Sequence, residues 1–175
     1  MAVKKMPVCP HCGSKEVKRI ESFYRCGSCN TDFGREAKTD DGVSLVDAVQ
    51  GVRFRYGDVL SGSVRIRFAQ DGDSALYEVY DSNEGGRNKV AGVIDGEDWL
   101  ELKKKLVENL FVPDWQKEYL PVNDGRTVSG NNAWHFSLIV DEDEEISSDG
   151  VDAFPVYWDA LMKVLDPYFQ QLQQD

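Results

Sequence analysis

"VRFRYGDVLSGSVRIRF", residues 52–68, decides the fold through its alternation. In an extended chain Val52, Phe54 and Tyr56 point one way, and Val64, Ile66 and Phe68 repeat the pattern. A period of two argues for half-buried strands. The stretch GDVLSG (residues 57–62) carries turn chemistry between the halves, so together they read as a hairpin. Arg53, Arg55, Arg65 and Arg67 fall at the alternate positions, and in register all four share the outward face. One reading makes them a candidate anion-binding site. The plainer reading is cross-strand pairing with carboxylates such as Glu78, together with edge protection.

Outward from this hairpin the same logic continues. ALYEVY (75–80) and NKVAGVI (88–94) extend the meander across the turn-rich DSNEGGR. A helix follows in DGEDWLELKKKLVENL (95–110), capped by Asp95 with Asp98 three residues on. Trp99, Leu102, Leu106 and Leu110 form its apolar stripe, widened by Leu100 and Val107. WHFSLIV (134–140) reads as a strand, DEDEE as a turn and EISSDG as the partner strand. AFPVYWDALMKVL (153–165) reads as a second helix, with Pro155 in its first turn and a stripe of Trp158, Leu161, Met162 and Leu165. Pro167 is expected to end or kink it. The order is ββββ-α-ββ-α, an α+β class with helices on one face of an antiparallel sheet.

Upstream, residues 9–34 hold every cysteine of the chain. CPHCG and CGSCN are two CxxC turns separated by thirteen residues. Gly13 and Asn30 follow each pair, where the chain often needs a positive φ. Four soft thiolates in a tetrahedron suit Zn²⁺. Val17–Ile20 and residues 22–25 are expected to pair as a hairpin between the knuckles, with Phe23, Tyr24 and Phe33 as apolar cover. This segment, about residues 7–36, resembles the zinc ribbon family. The resemblance implies that Cys9, Cys12, Cys26 and Cys29 ligate one structural zinc ion. Such a shell is closed, which leaves no position for a reacting water. A redox role for the CxxC pairs is the competing reading, but redox motifs sit as single pairs in a βαβ context. His11 reads as an exposed spacer, since four cysteines fill the shell. Lys15, Lys18, Arg19 and Arg25, with Tyr24 among them, offer a modest footprint for a phosphate backbone.

A second resemblance covers residues 114–158. Trp115 and Tyr119 form a W-x-x-x-Y pair, Gly130 leads to Trp134, and Gly150 through Pro155 spell G-x-x-A-[FY]-P. This is similar to a broad set of uncharacterised bacterial α+β domains. The chain departs from them in the middle. An Asp-Gly pair often precedes the strand tryptophan directly, whereas Asp124-Gly125 lies nine residues before Trp134, which implies a longer loop at 121–133. The resemblance implies a fold and a binding role, and no reaction.

The chain has 175 residues and a formal net charge of −11. Residues 1–38 carry eight Lys/Arg against four Asp/Glu, and the remainder twelve against twenty-seven. The expected organisation is a zinc ribbon at 1–38, a linker at 39–50 built on TDDG, and an acidic α+β domain at 51–175. No apolar run reaches the ~18–20 residues of a membrane span, and MAVKKMPVCP has no apolar signal region. With its cysteines kept as thiols, the protein is expected in the cytoplasm, with no membrane partner. The oligomeric state is not set by these features.

No Walker A sequence, nucleophile elbow or H-E-x-x-H occurs, and the only histidines are His11 and His135. The expectation is a non-enzymatic protein. Asp141, Glu142, Asp143, Glu144 and Glu145, with Asp149 and Asp152 close behind, are candidate contacts for a basic protein partner. Weak Ca²⁺ binding or a solvated turn would use the same acids, although EF-hand spacing is absent. Trp115 and Tyr119 are further candidate partner contacts. The leading expectation is a zinc-ribbon adaptor or immunity-like protein acting through protein–protein contact. The alternative is a nucleic-acid accessory factor using the ribbon and the arginine face.

Overall fold

The computed structural model describes residues 5–58, 61–82, 88–121 and 132–173. It is an α+β molecule with a three-stranded and a seven-stranded sheet. The small sheet contains β1 (Val17–Ile20), β2 (Phe23–Cys26) and β3 (Asp32–Phe33) in antiparallel order. The first strand of its hairpin is the expected one, and the second starts one residue later than the sequence pattern suggests. Ile20 pairs with Phe23, and Glu21 takes a φ of 51° in the intervening turn, so Ser22 belongs to the turn.

Residues 39–50, expected as a linker, instead contribute to the core. Helix α1 (Leu45–Ala48) follows a turn held by Gly42 N–H to the Thr39 carbonyl, and Leu45, Val46 and Val49 are buried. The apolar SLVDAV sequence explains the packing. One helical turn is too short to announce itself by periodicity.

The large sheet opens with the expected meander. It comprises β4 (Gly51–Asp58), β5 (Gly62–Asp71), β6 (Ser74–Asp81) and β7 (Asn88–Ile94). The inferred turn residues 59–60 and 83–87 lie outside the described residues. Helix α2 (Gly96–Lys104) is capped by Asp95, whose carboxylate accepts the Asp98 N–H at 2.9 Å. The helix widens to π geometry over Lys105–Asn109. Trp99, Leu102, Leu106, Val107 and Leu110 are buried as the pattern requires. Leu100 is 37% exposed and does not widen the stripe.

A 3-10 turn (Val112–Asp114) and the two-residue β8 (Glu118–Tyr119) precede β9 (Ala133–Ile139) and β10 (Glu145–Val151). Asp124-Gly125, Gly130 and most of the loop at 121–133 lie outside the described residues. The last helix, α3 (Trp158–Phe169), begins later than residue 153 and runs through Pro167 to a short 3-10 turn. Pro167 has no N–H to give to the preceding turn, and the α-helix continues only two residues past it before changing to 3-10 geometry. Pro155 lies before the helix, where its carbonyl accepts the Trp158 N–H.

Sheet order is β7-β6-β5-β4-β9-β10-β8. All pairs are antiparallel except β8 with β10, which makes the sheet mixed. The inner face packs on the helices. Phe68 stacks on Trp99 of α2 at 6.1 Å, while Phe54 and Trp134 meet Trp158 of α3 at 5.7 and 5.2 Å.

The residues of the G-x-x-A-[FY]-P pattern meet at the sheet corner. A Cβ at Gly150 would collide with the Trp134 indole, and that indole donates to the Ala153 carbonyl at 2.8 Å. Phe154 packs on Trp158, and Pro155 is buried. The glycine is therefore a packing requirement.

The ribbon docks directly on the main body. Phe111 lies in a buried cluster with Cys9, Cys26 and Phe33, and its ring meets those of Phe33 and Tyr157 at 5.1 and 5.6 Å. Gly34 N–H donates to Asp114 Oδ2 at 3.0 Å, and Tyr157 O–H donates to the Val8 carbonyl at 2.8 Å. Phe111 holds a φ of 53°, a left-handed conformation that costs about 1–3 kcal/mol in a non-glycine residue. That backbone turn delivers its ring into the ribbon.

Candidate metal centre and arginine face

The two CxxC turns bring four sulfurs together. The Sγ atoms of Cys9, Cys12, Cys26 and Cys29 lie within 4.8 Å of one another. Cys9–Cys29 and Cys12–Cys26 are each separated by 3.6 Å. A tetrahedral ion with bonds of about 2.3 Å sets its sulfurs about 3.8 Å apart, so the group fits one metal ion. Local backbone geometry sets the site. Gly13 and Asn30 take φ of 72° and 58°, as their places after the knuckles require. Gly13 N–H donates to the Cys9 carbonyl, and Cys29 N–H points at Cys26 Sγ from 3.5 Å.

The thiols are unequal. Hydrogen bonding with the Thr31 hydroxyl draws Cys29 down to about 6, and the Cys29 backbone N–H holds Cys26 below its ordinary value. Burial pushes Cys9 up to about 12. A central dication would offset the desolvation that opposes a Cys9 thiolate. His11 is exposed and outside the cluster.

Parts of the ribbon's basic surface are already engaged. Asp32 takes Arg25 through two oxygens at 2.6 and 3.0 Å, and Arg35 at 3.0 Å. Tyr24 packs edge-on to Phe111 and stacks on Phe33, which removes its ring as a platform for bases.

On the large sheet, register brings the four arginines together. Arg53 lies directly opposite Arg67, and Arg55 opposite Arg65. All four are exposed. The neighbouring strands extend these two rows. Ser137 and Glu78 flank the first, while His135, Tyr80 and Lys89 join the second. Beside them runs an apolar row of Ile139, Gly51, Ala69, Leu76 and Val93. Leu76 and Val93 are 45% and 64% exposed. A trough of about 680 Å³ lies over the arginines, with Tyr80, Lys89 and His135 in its walls.

Of the expected carboxylate partners, Glu78 lies opposite Arg67 and feels its charge, but its close contact is with another cation. Glu78 pairs with Lys89 at 2.9 Å, which is the chief cause of its lowered pKa, and Asp149 meets His135 Nδ1 at 2.6 Å. Among the described residues no ion pair reaches Arg53, Arg55, Arg65 or Arg67. Periodicity had pointed to these arginines. Their lack of close ion pairs, and the arrival of Tyr80, Lys89 and His135 beside them, needed the register.

The acidic tip is a turn. Asp141 Oδ1 accepts the N–H groups of Asp143 and Glu144, and residues 141–145 are exposed. These acids border the arginines, sharing a second trough with Arg53 and Arg67. Trp115 is 7% exposed, donates to the Leu110 carbonyl at 2.8 Å and packs on Phe136, so its ring belongs to the core. Tyr119 is half-buried against Trp134, with its hydroxyl accepting the Gln116 N–H. The pair stabilises the corner of the sheet and presents little surface to a partner.

Among the described residues no helix is long and apolar enough to cross a membrane. Compared with protein-family models, curated proteins and solved structures, the chain matches none.

Proposed function

We propose that the chain is a non-catalytic binding protein with one structural zinc ion, whose working surface is the outward face of the large sheet. The partner it recognises there is anionic. One observation carries this reading: four exposed arginines stand like against like across β4 and β5 in a chain of net charge −11, and among the described residues none forms a close ion pair, Glu78 acting on Arg67 only at longer range. Like charges set directly opposite are destabilising, and an incoming anion relieves that repulsion. Four thiolates at tetrahedral spacing support zinc as the metal, in a closed site that holds the ribbon together. The adaptor role expected from the sequence is kept, but the recognition surface moves from the acidic tip to the arginines.

Metal analysis should return about one zinc per chain. At low salt the zinc-loaded protein should be retained on a phosphate-bearing cation exchanger despite its acidity, and the double variant Arg55→Ser/Arg65→Ser should flow through. Flow-through of the native chain would remove the anion-binding reading.

A further inference from the structure

We infer that the arginine face holds a compact ligand with several phosphate oxygens, the polyphosphate group borne by a nucleoside di- or triphosphate. This rests on the anion-binding reading above and narrows it. The footprint is small. Directly opposed residues have Cβ atoms about 5 Å apart, and alternate residues along a strand are about 7 Å apart. Four guanidinium stems therefore rise from a rectangle that a short chain of linked phosphates can span. Arginine's planar fork suits such oxygens bidentately. The trough's volume of about 680 Å³ falls in the range of small-molecule sites.

The borders argue against a long polyanion. Glu78 flanks the arginines on the β6 side and Asp149 on the β10 side, while residues 141–145 close a third. A continuous nucleic-acid backbone leaving this basic island would run onto carboxylates, whereas a compact anion stays within it. One further group suits a ligand: Tyr80 continues the Arg55–Arg65 row and lines the trough, where an aromatic ring can stack on a base.

The test is isothermal titration of the zinc-loaded full chain with sodium tripolyphosphate, adenosine triphosphate, poly-glutamate and a short single-stranded RNA. Tripolyphosphate should bind once per chain, weakening about tenfold or more in Arg55→Ser/Arg65→Ser. Lys163→Ser, an exposed change on α3, should leave it unaltered. Tighter binding of the nucleotide, lost in Tyr80→Ala, assigns the source to nucleosides. Equal binding assigns it to free polyphosphate. An equal response to sulfate at matched ionic strength would overturn the inference. So would arginine-dependent binding of poly-glutamate or RNA that tripolyphosphate fails to displace, though the anion-binding face would then stand. No arginine-dependent binding of any probe would overturn both.

Discussion

Asp114 carries a carboxylate into the seam between ribbon and sheet domain. Burial raises its pKa above the ordinary value, only partly opposed by the hydrogen bond from Gly34. Between the two values the folded chain binds more protons than the unfolded chain. The contribution to stability is therefore full below 3.8 and is lost as pH rises through the folded-state value. Asp114→Asn keeps an acceptor for Gly34 and removes the titration. Denaturant melts across the acid range should show native-minus-variant stability falling as pH rises. Acid release of metal affects both proteins, so the difference isolates the carboxyl, and a flat difference would contradict its raised pKa. Gly150 offers a second test at this scale. Gly150→Ala drives a methyl group into the Trp134 indole and should cost about 1–3 kcal/mol, read by thermal melting and tryptophan fluorescence.

Between elements, the seam makes metal and fold interdependent. Phe111 leaves the end of the α2 segment and enters the ribbon core beside Cys9 and Cys26. Chelation or Cys26→Ser should therefore lower the unfolding midpoint of the whole chain, beyond melting the ribbon alone. Phe111→Ala should cost about 3–5 kcal/mol and leave the sheet domain indifferent to chelator. A native sheet domain that melts identically with and without metal would show the seam to be passive. Much of this architecture was legible beforehand, for physical reasons. The meander and both long helices carry sustained period-two or period-3.6 patterns, and the knuckles carry fixed spacing. The misread pieces are short or set by tertiary contact. Helix α1 is a single turn, β8 has two residues, and Phe111 acts through a backbone turn that its neighbours impose.

Across the whole molecule, one face of a seven-stranded sheet is covered by helices, while the other is exposed at most outward positions of β4 through β7, the four arginines among them. The alternation in residues 52–68 foretold four arginines on that outer side. It did not reveal that Glu78 would turn to Lys89 and Asp149 to His135, since side-chain pairing depends on register across strands distant in sequence. That difference separates a self-neutralised surface from a receptive one. It also predicts a steep loss of anion binding with added salt, because exposed charges are screened within about 8 Å at physiological ionic strength. The most direct check is a backbone amide chemical-shift map of the zinc-loaded chain titrated with tripolyphosphate. The account predicts the largest shifts at Arg53, Arg55, Arg65, Arg67 and Tyr80. Shifts concentrated at Lys15, Lys18 and Arg19 of the ribbon, or no saturable shifts, would contradict it.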